Sequence, residues 1–493
     1  MLNFRTSRAI IILSNRKLPV HIAEGQCDAC PPGNMTVSPD YSINPAAEYV
    51  SAKFDAIALH NDFHAVYAPE FVFNPIVLNK PALSLVQNFQ NPRALDIFSS
   101  HKTLSNEYPS DTALKKFIEF HLLRPANDIK PQLAENSDTL TASLHIADAC
   151  NLSCDYCYLP NSKLRMDLET GIQIIDKIIN SAVRNNYKKI KIKYTGGEPL
   201  SDFPLISKLH QYAEKSAIQN QLELSGSVLS NGTLLTPEIA RQIKAMNLRL
   251  MISLDGIKEY HDCHRHFPDG SSSFGKVSTS IDMALSQNLI PDISVTVSTR
   301  NIAGLPELML WILDRDLPFS INFYRENQQS RKHADLRMEE EKIIQGMLAA
   351  YKVIESNLPQ RSLLAALADR VNLAVPHLRP CSAGHSYMVF DCKGNISKCQ
   401  MDTSVTDISD SNPLTSLQEN KTGLQNLSVD EKEECKSCKW KYWCGGGCPL
   451  ETFHFTGRYD RKSPNCKIYK SLFPEIIRLE GMRLLKYGQA LNI

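Results

Sequence analysis

The chain has 493 residues, enough for about three domains of ordinary size. Apolar residues make up 43% and charged residues 22% of it, and 54 Lys and Arg nearly balance 53 Asp and Glu. This composition is typical of a globular protein. It lacks the excess of basic residues that marks many nucleic-acid-binding domains. No stretch approaches the roughly 20 apolar residues of a membrane span, and no signal peptide is recognisable. We therefore expect a cytoplasmic protein with neither a nucleic-acid nor a membrane partner.

Residues 1–47 are expected to form an irregular N-terminal extension, because a Pro-Pro-Gly sequence at 31–33 interrupts any regular pattern there. Within it, Cys27 and Cys30 form an isolated C-x2-C pair. Such a pair has three interpretations: a redox pair, half of a metal site, or an incidental or structural feature. We favour the incidental or structural role.

Residues 48–138 contain short apolar runs separated by polar or turn residues, near 54–59, 65–67 and 72–78. This pattern predicts a small antiparallel sheet. Two helices are expected to follow, at 81–89 and 111–123, where apolar residues recur at helical spacing.

Residues 139–335 alternate between apolar runs and helical patterns, which is typical of parallel strands joined by crossover helices. We predict an α/β fold, a partial (β/α)6 barrel, with a doubly wound sheet as the alternative. The six predicted strands are Ala142–Ile146, Ile190–Tyr194, Leu222–Leu229, Leu248–Leu254, Ile293–Val297 and Phe319–Phe323.

The remaining chain is expected to form a helical linker at 336–376, a Cys- and Gly-rich domain at 377–470 and a C-terminal helix at 471–493. Fourteen cysteines are present in the chain, and five of them lie between Cys435 and Cys466. Clustered thiols in a reducing compartment indicate metal binding, whereas a disulfide-stapled secreted domain is the alternative.

The first thiol group consists of Cys150, Cys154 and Cys157, which form a C-x3-C-x2-C run just after the first strand of the barrel. Active sites of parallel barrels lie at the carboxyl ends of their strands, so these thiols stand where chemistry is expected. Three thiolates can hold three irons of a 4Fe–4S cluster and leave the fourth open to a substrate. A structural zinc site would need a fourth ligand, and none is local.

This run, with Tyr156 before its last cysteine, resembles the radical S-adenosylmethionine superfamily. In that family the open iron binds S-adenosyl-L-methionine, and one electron releases a 5′-deoxyadenosyl radical. A reducing donor such as flavodoxin or ferredoxin is implied. Three further matches end the next three strands: Thr-Gly-Gly-Glu-Pro at 195–199, Ser-Asn-Gly at 230–232 and Ser-Leu-Asp-Gly at 253–256. The segment at 261–265 that follows them resembles the family's His-Asp-x-x-Arg. The resemblance implies these cofactor contacts: Tyr156, Gly196, Gly197, Glu198, Ser230, Asn231, Ser253, Asp255 and Arg265.

The second thiol group resembles the C-terminal iron–sulfur domain of sulfatase- and peptide-maturing radical enzymes, called SPASM. The resemblance implies two auxiliary 4Fe–4S clusters, and hence three clusters in the whole chain. One set of ligands would be Cys435, Cys438, Cys444 and Cys466; the other would include Cys381, Cys399 and Cys448. Some relatives have a further cysteine where this chain has Ser386-Tyr387, and Cys392 is a candidate replacement. A zinc-binding domain is the alternative.

Residues 48–138 resemble the winged-helix-like peptide-recognition domain of ribosomal peptide maturases, in pattern and not in an exact motif. Such a domain would bind the leader of a precursor peptide as an added strand on an open sheet edge. A generic winged-helix cap is the alternative.

These resemblances imply an oxidoreductase that takes a side-chain hydrogen from a ribosomally made peptide. The product would be a C–C, C–S or C–O crosslink, such as a cyclophane or thioether, or an oxidised residue. Anaerobic sulfatase maturation, which forms formylglycine, is the alternative. In that group an Asp that serves as base follows the cysteine matching Cys399, whereas this chain has Gln400, with Asp402 as the nearest acid. A non-catalytic iron–sulfur electron-transfer protein is the alternative from another class. No catalytic base is assigned.

Overall fold

A computed structural model describes residues 10–13, 47–68, 75–94, 116–120, 122–127, 133, 137–160, 162–369 and 371–492. Cys27 and Cys30 lie outside the described residues. So do residues 72–73 of the third predicted N-terminal strand and residues 111–115 of the predicted helix that precedes the barrel.

Within the described residues the chain forms seventeen strands, distributed over three sheets. The strands are β1 (Ile10–Leu13), β2 (Glu48–Ser51), β3 (Asp55–Ala58), β4 (Phe63–Tyr67), β5 (Ile76–Asn79), β6 (Arg93–Ala94), β7 (Leu123–Pro125), β8 (Thr139–Ala147), β9 (Lys189–Gly196), β10 (Glu223–Ser230), β11 (Arg249–Ser253), β12 (Asp292–Val297), β13 (Phe319–Phe323), β14 (Tyr387–Phe390), β15 (Asn395–Ser397), β16 (Ser404–Asp407) and β17 (Gln489–Asn492).

The helices pack mainly around the largest sheet, and residues 116–119 are also helical. The helices are α1 (Lys80–Gln87), α2 (Leu168–Arg184), α3 (Phe203–Gln219), α4 (Pro237–Ala245), α5 (Glu259–Asp262), α6 (Phe274–Ser286), α7 (Leu305–Asp314), α8 (Glu340–Ser356), α9 (Pro413–Glu419), α10 (Lys441–Cys444), α11 (Pro449–Thr456) and α12 (Cys466–Tyr487). None of the described helices is both long and apolar enough to cross a membrane.

The largest sheet has nine strands in the order β13-β12-β11-β10-β9-β8-β14-β15-β16. Strands β8 to β13 are parallel, and helices join each one to the next. Their order follows the chain without the reversal that a doubly wound sheet has. Five of these strands contribute side chains to one cavity, so the sheet curves as a partial barrel does. The predicted α/β fold with six parallel strands is confirmed.

Alternation along β9 determines which of its side chains face the cavity. Ile190, Ile192 and Tyr194 are buried in the core that the helices cover, and the Tyr194 hydroxyl lies 3.1 Å from Nδ1 of His210 on α3. The side chains between them point to the opposite face of the sheet, since successive strand residues alternate. Two of those, at positions 193 and 195, line the cavity.

The Cys- and Gly-rich segment extends this sheet. Strands β14 and β15 form a hairpin around Gly394, whose φ is +84°. Strand β14 pairs in parallel with β8, which places the hairpin beside the first thiol loop. The preceding linker is less helical than predicted: α8 ends at Ser356 and turns follow. Pro359 accounts for this end, because a proline disfavours helical backbone at the residue before it.

The N-terminal sheet has the order β17-β1-β5-β4-β3. The antiparallel meander of β3, β4 and β5 confirms the predicted small sheet. Two of its strands differ from the prediction: β1 lies in the segment predicted to be irregular, and β17 lies in the segment predicted to be helical. Strand β1 pairs with β5 on one side and with β17 on the other. Ile10 and Ile12 are buried against Phe63, Val77 and Leu484, which are all distant in the chain, so local patterns do not reveal this strand. A separate small sheet has the order β6-β2-β7.

The N-terminal sheet packs against α12 and the second thiol segment. Tyr67 stacks on Trp440, with ring centroids 5.0 Å apart, and Lys439 Nζ lies 2.8 Å from the Asp55 carboxylate. A Cβ at Gly481 on α12 would lie 2.6 Å from the Ala65 side chain, so glycine allows the helix to approach the sheet closely.

Candidate functional site

The first thiol group lies in the loop that follows β8. Cys150, Cys154 and Cys157 are partly buried, and a turn brings the Cys157 amide 3.1 Å from the Cys154 carbonyl oxygen. Two side chains from later strand ends reach these sulfurs. Asn231 Nδ2 lies 3.7 Å from Cys150 Sγ, and an Arg265 guanidinium nitrogen lies 3.9 Å from Cys154 Sγ. Donors from two other strand ends thus meet the thiols, as expected at the carboxyl end of a parallel barrel.

One cavity of about 360 Å³ joins this loop to the second thiol group. It brings together thirteen of the nineteen predicted site residues, ten from the barrel and three from the C-terminal domain. Its lining includes Cys150, Cys154, Tyr156, Cys157, Gly196, Gly197, Ser230, Asn231, Ser253, Arg265, Cys381, Cys399 and Cys448. The lining of the cavity therefore combines thiols of both groups with polar strand-end groups.

Glycine is required at the end of β9 by the neighbouring strand. Gly196 has a φ of +127°, and a Cβ there would lie 2.2 Å from the Ala147 carbonyl oxygen. A Cβ at Gly197 would lie 2.3 Å from the Ala149 carbonyl oxygen. The two glycines let β9 approach the thiol loop itself.

Glu198 lies behind the cavity wall and does not line it. It has no exposed surface, and it accepts hydrogen bonds from the Ser230 hydroxyl at 2.8 Å, the Asn231 amide at 2.7 Å and the Leu200 amide at 2.9 Å. Burial raises the pKa of this carboxyl group, although the hydrogen bonds oppose the shift. Its observed contacts hold the Ser230-Asn231 turn in place.

Asp255 also lies behind the wall, where it orients two residues that do line the cavity. Its Oδ2 accepts from the Tyr156 hydroxyl at 2.5 Å and from Arg265 Nε at 2.8 Å. The Arg265 guanidinium lies 5.3 Å from the centre of the Tyr156 ring, a cation–π distance. Burial by itself would raise the pKa of Asp255, but Arg265, together with His264, His261 and the Tyr156 hydroxyl, outweighs burial and holds the pKa below its usual value.

Burial disfavours the charged form of the thiols in this loop unless a cation compensates it. Burial, helped by the neighbouring thiols of Cys157 and Cys150, raises the pKa of Cys154 to about 12 against the opposing charge of Arg265. Burial also raises the pKa of Cys150 and of Cys157. A bound cation would replace these protons, because a thiol ligates as the thiolate.

A second set of thiols, Cys435, Cys438, Cys444 and Cys466, is grouped outside the cavity. Burial, helped by the nearby thiols of Cys466 and Cys438, raises the pKa of Cys435 to about 11 against the opposing charge of Lys432. Cys435 and Cys466 act in the same way on Cys444. Three consecutive glycines, at 445–447, have φ values of +57°, +83° and +72° and turn the chain sharply after Cys444. The four thiols named by the sequence pattern thus lie near one another.

A third set contains Cys381, Cys399 and Cys448, which share one small apolar cluster with Tyr387 and Leu450. Cys392, the candidate fourth ligand, is not among them. Its sulfhydryl donates to the His145 carbonyl oxygen at 3.2 Å and is buried in the main core. Its place in the main core, apart from the cluster that holds the other three thiols, does not favour it as the fourth ligand.

Lys432 lies between the second and third thiol sets and has no exposed surface. Its Nζ lies 3.2 Å from the Gly446 carbonyl oxygen. Its charge interacts electrostatically with the thiols of both sets: Cys444, Cys435, Cys448 and Cys381. A cation here offsets the negative charge that thiolate ligands would carry. In the described part of the chain, no three His, Cys, Asp or Glu side chains meet in a way that would hold a single metal ion.

Several cavity residues were not found from the sequence. Lys193 and Arg325 supply positive charge, and Tyr158 and Gln400 bridge the two thiol groups, the Tyr158 hydroxyl donating to Gln400 Oε1 at 3.3 Å. The alternation of Lys and Ile in the second predicted strand was the signal that could have revealed Lys193. Cys263 does not line the cavity, and its sulfhydryl lies 3.4 Å from the Tyr260 carbonyl oxygen.

The protein belongs to the α/β class, and its site lies at the carboxyl ends of the strands of a curved parallel sheet. Thiols follow the first of these strands, and polar groups follow the later ones. Residues 144–311, about a third of the chain, match the family described as Radical SAM superfamily, so the chain carries a radical SAM domain.

Two named relatives share part of the sequence. The radical SAM cyclopropyl synthase TigE of Paramaledivibacter caminithermalis is 28% identical over 159 residues, which are 29% of this chain and 32% of that protein. A cysteine-type anaerobic sulfatase-maturating enzyme of Clostridium perfringens is 22% identical over 326 residues, which are 61% of this chain and 86% of that protein. The predicted resemblance to radical S-adenosylmethionine enzymes is confirmed.

One solved structure extends the comparison to the fold. Native anSMEcpe with bound AdoMet and Cp18Cys peptide has a TM-score of 0.57 against this chain and 18% sequence identity. The match covers 69% of this chain and 99% of that one, so the shared fold extends beyond the radical SAM domain.

Proposed function

We propose that this protein is a peptide maturase of the radical S-adenosylmethionine type. The 5′-deoxyadenosyl radical would take a side-chain hydrogen from a ribosomally made precursor peptide and lead to a crosslink or an oxidation. The observation that carries the proposal is the single cavity, which joins Cys150, Cys154 and Cys157 to Cys381, Cys399 and Cys448. A substrate in this cavity would lie between a site that makes a radical and a site that can accept an electron.

The first thiol group is proposed to hold a 4Fe–4S cluster, which supplies the electron for reductive cleavage of S-adenosylmethionine. Arg265 is positioned to pair with the methionine carboxylate, because it lies beside Cys154 and is oriented by Asp255. Asn231 and Ser253 line the same wall and can donate to the ribose and the amino acid. Glu198 supports this proposal indirectly by holding the Asn231 turn.

The C-terminal segment is proposed to be a SPASM domain with two further clusters. The grouping of Cys435, Cys438, Cys444 and Cys466 supports one, and the set of Cys381, Cys399 and Cys448 supports the other. The latter set has three thiols, which leaves a coordination position for a substrate atom. An electron carrier such as flavodoxin or ferredoxin is the proposed donor.

The N-terminal sheet is proposed to be the peptide-recognition domain. Its strand β3 pairs only with β4 among the described strands, so one edge is available. The leader of a precursor peptide would add to this edge by main-chain hydrogen bonds. Close packing of this sheet against the second thiol segment supports delivery of the core peptide to the cavity.

Formylglycine formation on a sulfatase is a second candidate, favoured by the Clostridium perfringens relative and by the shared fold. Gln400 weakens it, since it stands where that group carries its base and lines the cavity. Asp402 does not line the cavity and cannot replace that base directly.

The test is cluster content together with cofactor cleavage. Anaerobically reconstituted protein should hold about twelve irons, four for each cluster. Replacing Cys150, Cys154 and Cys157 with Ala should remove about four irons and abolish 5′-deoxyadenosine formation. Cys263→Ala is the matched control, because this thiol lies in the same domain but does not line the cavity. Formation of 5′-deoxyadenosine at the wild-type rate by the triple variant would refute the proposal.

The substrate class is tested separately. Short open reading frames beside the gene should be coexpressed with it, and their peptides examined by mass spectrometry. A loss of two hydrogens supports a crosslink. Conversion of a sulfatase Cys or Ser to formylglycine, with no change in the peptides, would favour the second candidate instead.

A further inference from the structure

The third thiol set has a buried carboxamide at one of its sulfurs. Asn426 lies in the segment between α9 and α10, and only 8% of its surface is exposed. Its Nδ2 donates a hydrogen bond to Cys381 Sγ, with the two atoms 3.6 Å apart. The two residues are 45 positions apart in the chain, so this contact depends on the folded structure and no local sequence pattern predicts it.

Two backbone carbonyl groups fix the orientation of this carboxamide. Asn426 Nδ2 also donates to the Cys381 carbonyl oxygen at 2.7 Å and to the Ala383 carbonyl oxygen at 3.1 Å. If the amide were rotated by half a turn, its own oxygen would face these two oxygens, and none of the three could donate. The nitrogen therefore faces the Cys381 thiol, and the side chain acts on that sulfur as a donor.

The oxygen of the same carboxamide supplies a second observation. Asn426 Oδ1 is buried and has no hydrogen-bond partner among the residues that the structure describes. Buried polar atoms normally have partners, and a buried acceptor without one costs free energy. The nitrogen is thus the half of the side chain that offsets this cost. Two roles are open to it: to hold the turn at 381–383 through the two carbonyl groups, and to donate to the sulfur.

Positive charge reaches the same thiol set from two other segments. Lys432 interacts electrostatically with Cys381 and Cys448, and Arg325, after β13, interacts with Cys448. Asp369 offsets part of the Arg325 charge, since its carboxylate lies 2.5 Å from a guanidinium nitrogen. A positive charge and an N–H donor act in the same direction on a thiolate-bound iron–sulfur cluster, because both stabilise its reduced and more negative state.

We infer that Asn426 is a positioning residue whose side-chain N–H raises the reduction potential of the cluster proposed on Cys381, Cys399 and Cys448. This inference rests on the proposed function and adds to it a residue that makes this thiol set the easier one to reduce. The hydrogen bond draws negative charge from a ligand sulfur and so favours uptake of an electron. That direction suits the set that lines the cavity, where a substrate would lie.

The experiment measures reduction potentials in the full-length, anaerobically reconstituted protein. Replacing Cys150, Cys154 and Cys157 with Ala removes the first thiol group and simplifies the spectrum to the two auxiliary sets. Titration with a reductant, followed by electron paramagnetic resonance (EPR), gives one potential for each set, and the signal that Cys399→Ala loses is that of the third set. Iron content is measured first, because fewer than about eight irons in this parent protein would refute the proposed function and not the role of Asn426.

Asn426→Leu keeps a similar volume but removes the donor. We expect the equilibrium constant for one-electron reduction of the third set to fall at least threefold, a potential lower by about 28 mV or more, with the other set unchanged. Asn412→Ala is the matched control in the same domain. Asn412 Oδ1 is also buried without a partner, but its Nδ2 donates to Thr415 Oγ1 at 2.7 Å and not to a thiol. A fall of less than threefold in Asn426→Leu, or an equal fall in Asn412→Ala, overturns the inference.

A spectroscopic measurement on the native side chain decides the case even if Asn426→Leu fails to fold. In protein labelled with ¹⁵N only in asparagine side chains, pulsed EPR of the reduced third set should show a ¹⁵N coupling, and Asn426→Leu should lose it. Absence of this coupling from the protein that retains Asn426 overturns the inference. So does a loss of iron or stability in Asn426→Leu with the potential unchanged, because that pattern belongs to a residue that only holds the turn at 381–383.

Discussion

Individual buried polar residues behind the cavity wall determine the shape of the site. Glu198 accepts three hydrogen bonds from the Ser230-Asn231 turn and the Leu200 amide. Asp255 likewise holds Arg265 and Tyr156. Neither carboxylate lines the cavity, yet each fixes a residue that does. The site therefore depends on these two carboxylates as hydrogen-bond acceptors.

Glu198→Gln tests that role. The amide nitrogen of glutamine cannot accept, so at least one of the three donors would lose its partner. We expect the variant to lose about 1–3 kcal/mol of unfolding free energy and to bind S-adenosylmethionine more weakly. Anaerobic urea denaturation and cofactor titration measure the two effects. Glu214→Gln, at an exposed position on α3, is the control, and equal stability of the two variants would contradict the argument.

Buried histidine makes the fold sensitive to acid. Burial lowers the pKa of His377 to about 4, and its Nε2 has no hydrogen-bond partner. An unfolded chain has a histidine pKa near 6.5. Between these values the unfolded state binds a proton that the folded state does not, so stability falls as pH falls. The contribution is complete above pH 6.5 and is lost progressively toward pH 4.

His377→Gln should therefore flatten the acid side of the stability curve. From pH 7 to pH 5 the wild-type protein should lose about 2 kcal/mol more unfolding free energy than the variant. Urea denaturation of both proteins at each pH measures this difference, in which the contribution of bound metal cancels. His454→Gln, at an exposed position, should follow the wild-type curve.

Among the elements, the parallel strands could be predicted from the sequence and the terminal strands could not. Ile190, Ile192 and Tyr194 form an alternating apolar pattern that is complete within one strand, and the cysteine spacings are equally local. Strand β1, in contrast, pairs with β17 at the other end of the chain. The position of Lys193 in the cavity wall also depends on neighbouring strands, because only the curvature of the sheet makes its face line a cavity.

The glycine turn after Cys444 allows a test of whether its backbone geometry is needed for cluster binding. A Cβ at Gly445 would lie 2.5 Å from the backbone nitrogen of Pro380, next to Cys381. Gly445→Ala should displace that segment and reduce the iron content from about twelve to about eight or fewer. Gly457 has a similar φ, +71°, but nothing within 4 Å of its Cβ position, so Gly457→Ala carries the same backbone cost without the clash. Equal iron content in the two variants would exclude crowding as the cause.

At the scale of the whole molecule, the N-terminal sheet pairs and packs with the C-terminal part of the chain. Strand β17 follows α12 directly and pairs with β1, and Tyr67 stacks on Trp440. Deleting residues 1–138 would expose this packed surface and leave β17 without its partner. A truncated protein could therefore lose its clusters for reasons unrelated to peptide binding. A change confined to the free sheet edge is a better test of leader recognition.

The register of β3 identifies the groups on that edge. The Leu59 amide donates to the Phe63 carbonyl oxygen, and the pairing continues with Ile57 opposite Ala65. In an antiparallel ladder the hydrogen-bonded pairs recur at every second residue. Residues 55, 57 and 59 therefore face β4, whereas the N–H and C=O groups of Ala56 and Ala58 point to the open edge.

Ala56→Pro should block an added strand while leaving the β3–β4 ladder intact, because it removes one outward N–H from an edge position where proline is tolerated. We expect the affinity for the leader peptide to fall at least tenfold, about 1.4 kcal/mol, with iron content and uncoupled 5′-deoxyadenosine formation unchanged. Ala56→Ser keeps the N–H and is the matched control. Fluorescence anisotropy of a labelled leader peptide measures binding, and cluster absorbance confirms the fold. If the proline variant, with its clusters intact, bound the leader as tightly as Ala56→Ser does, recognition would have to occur elsewhere on the molecule.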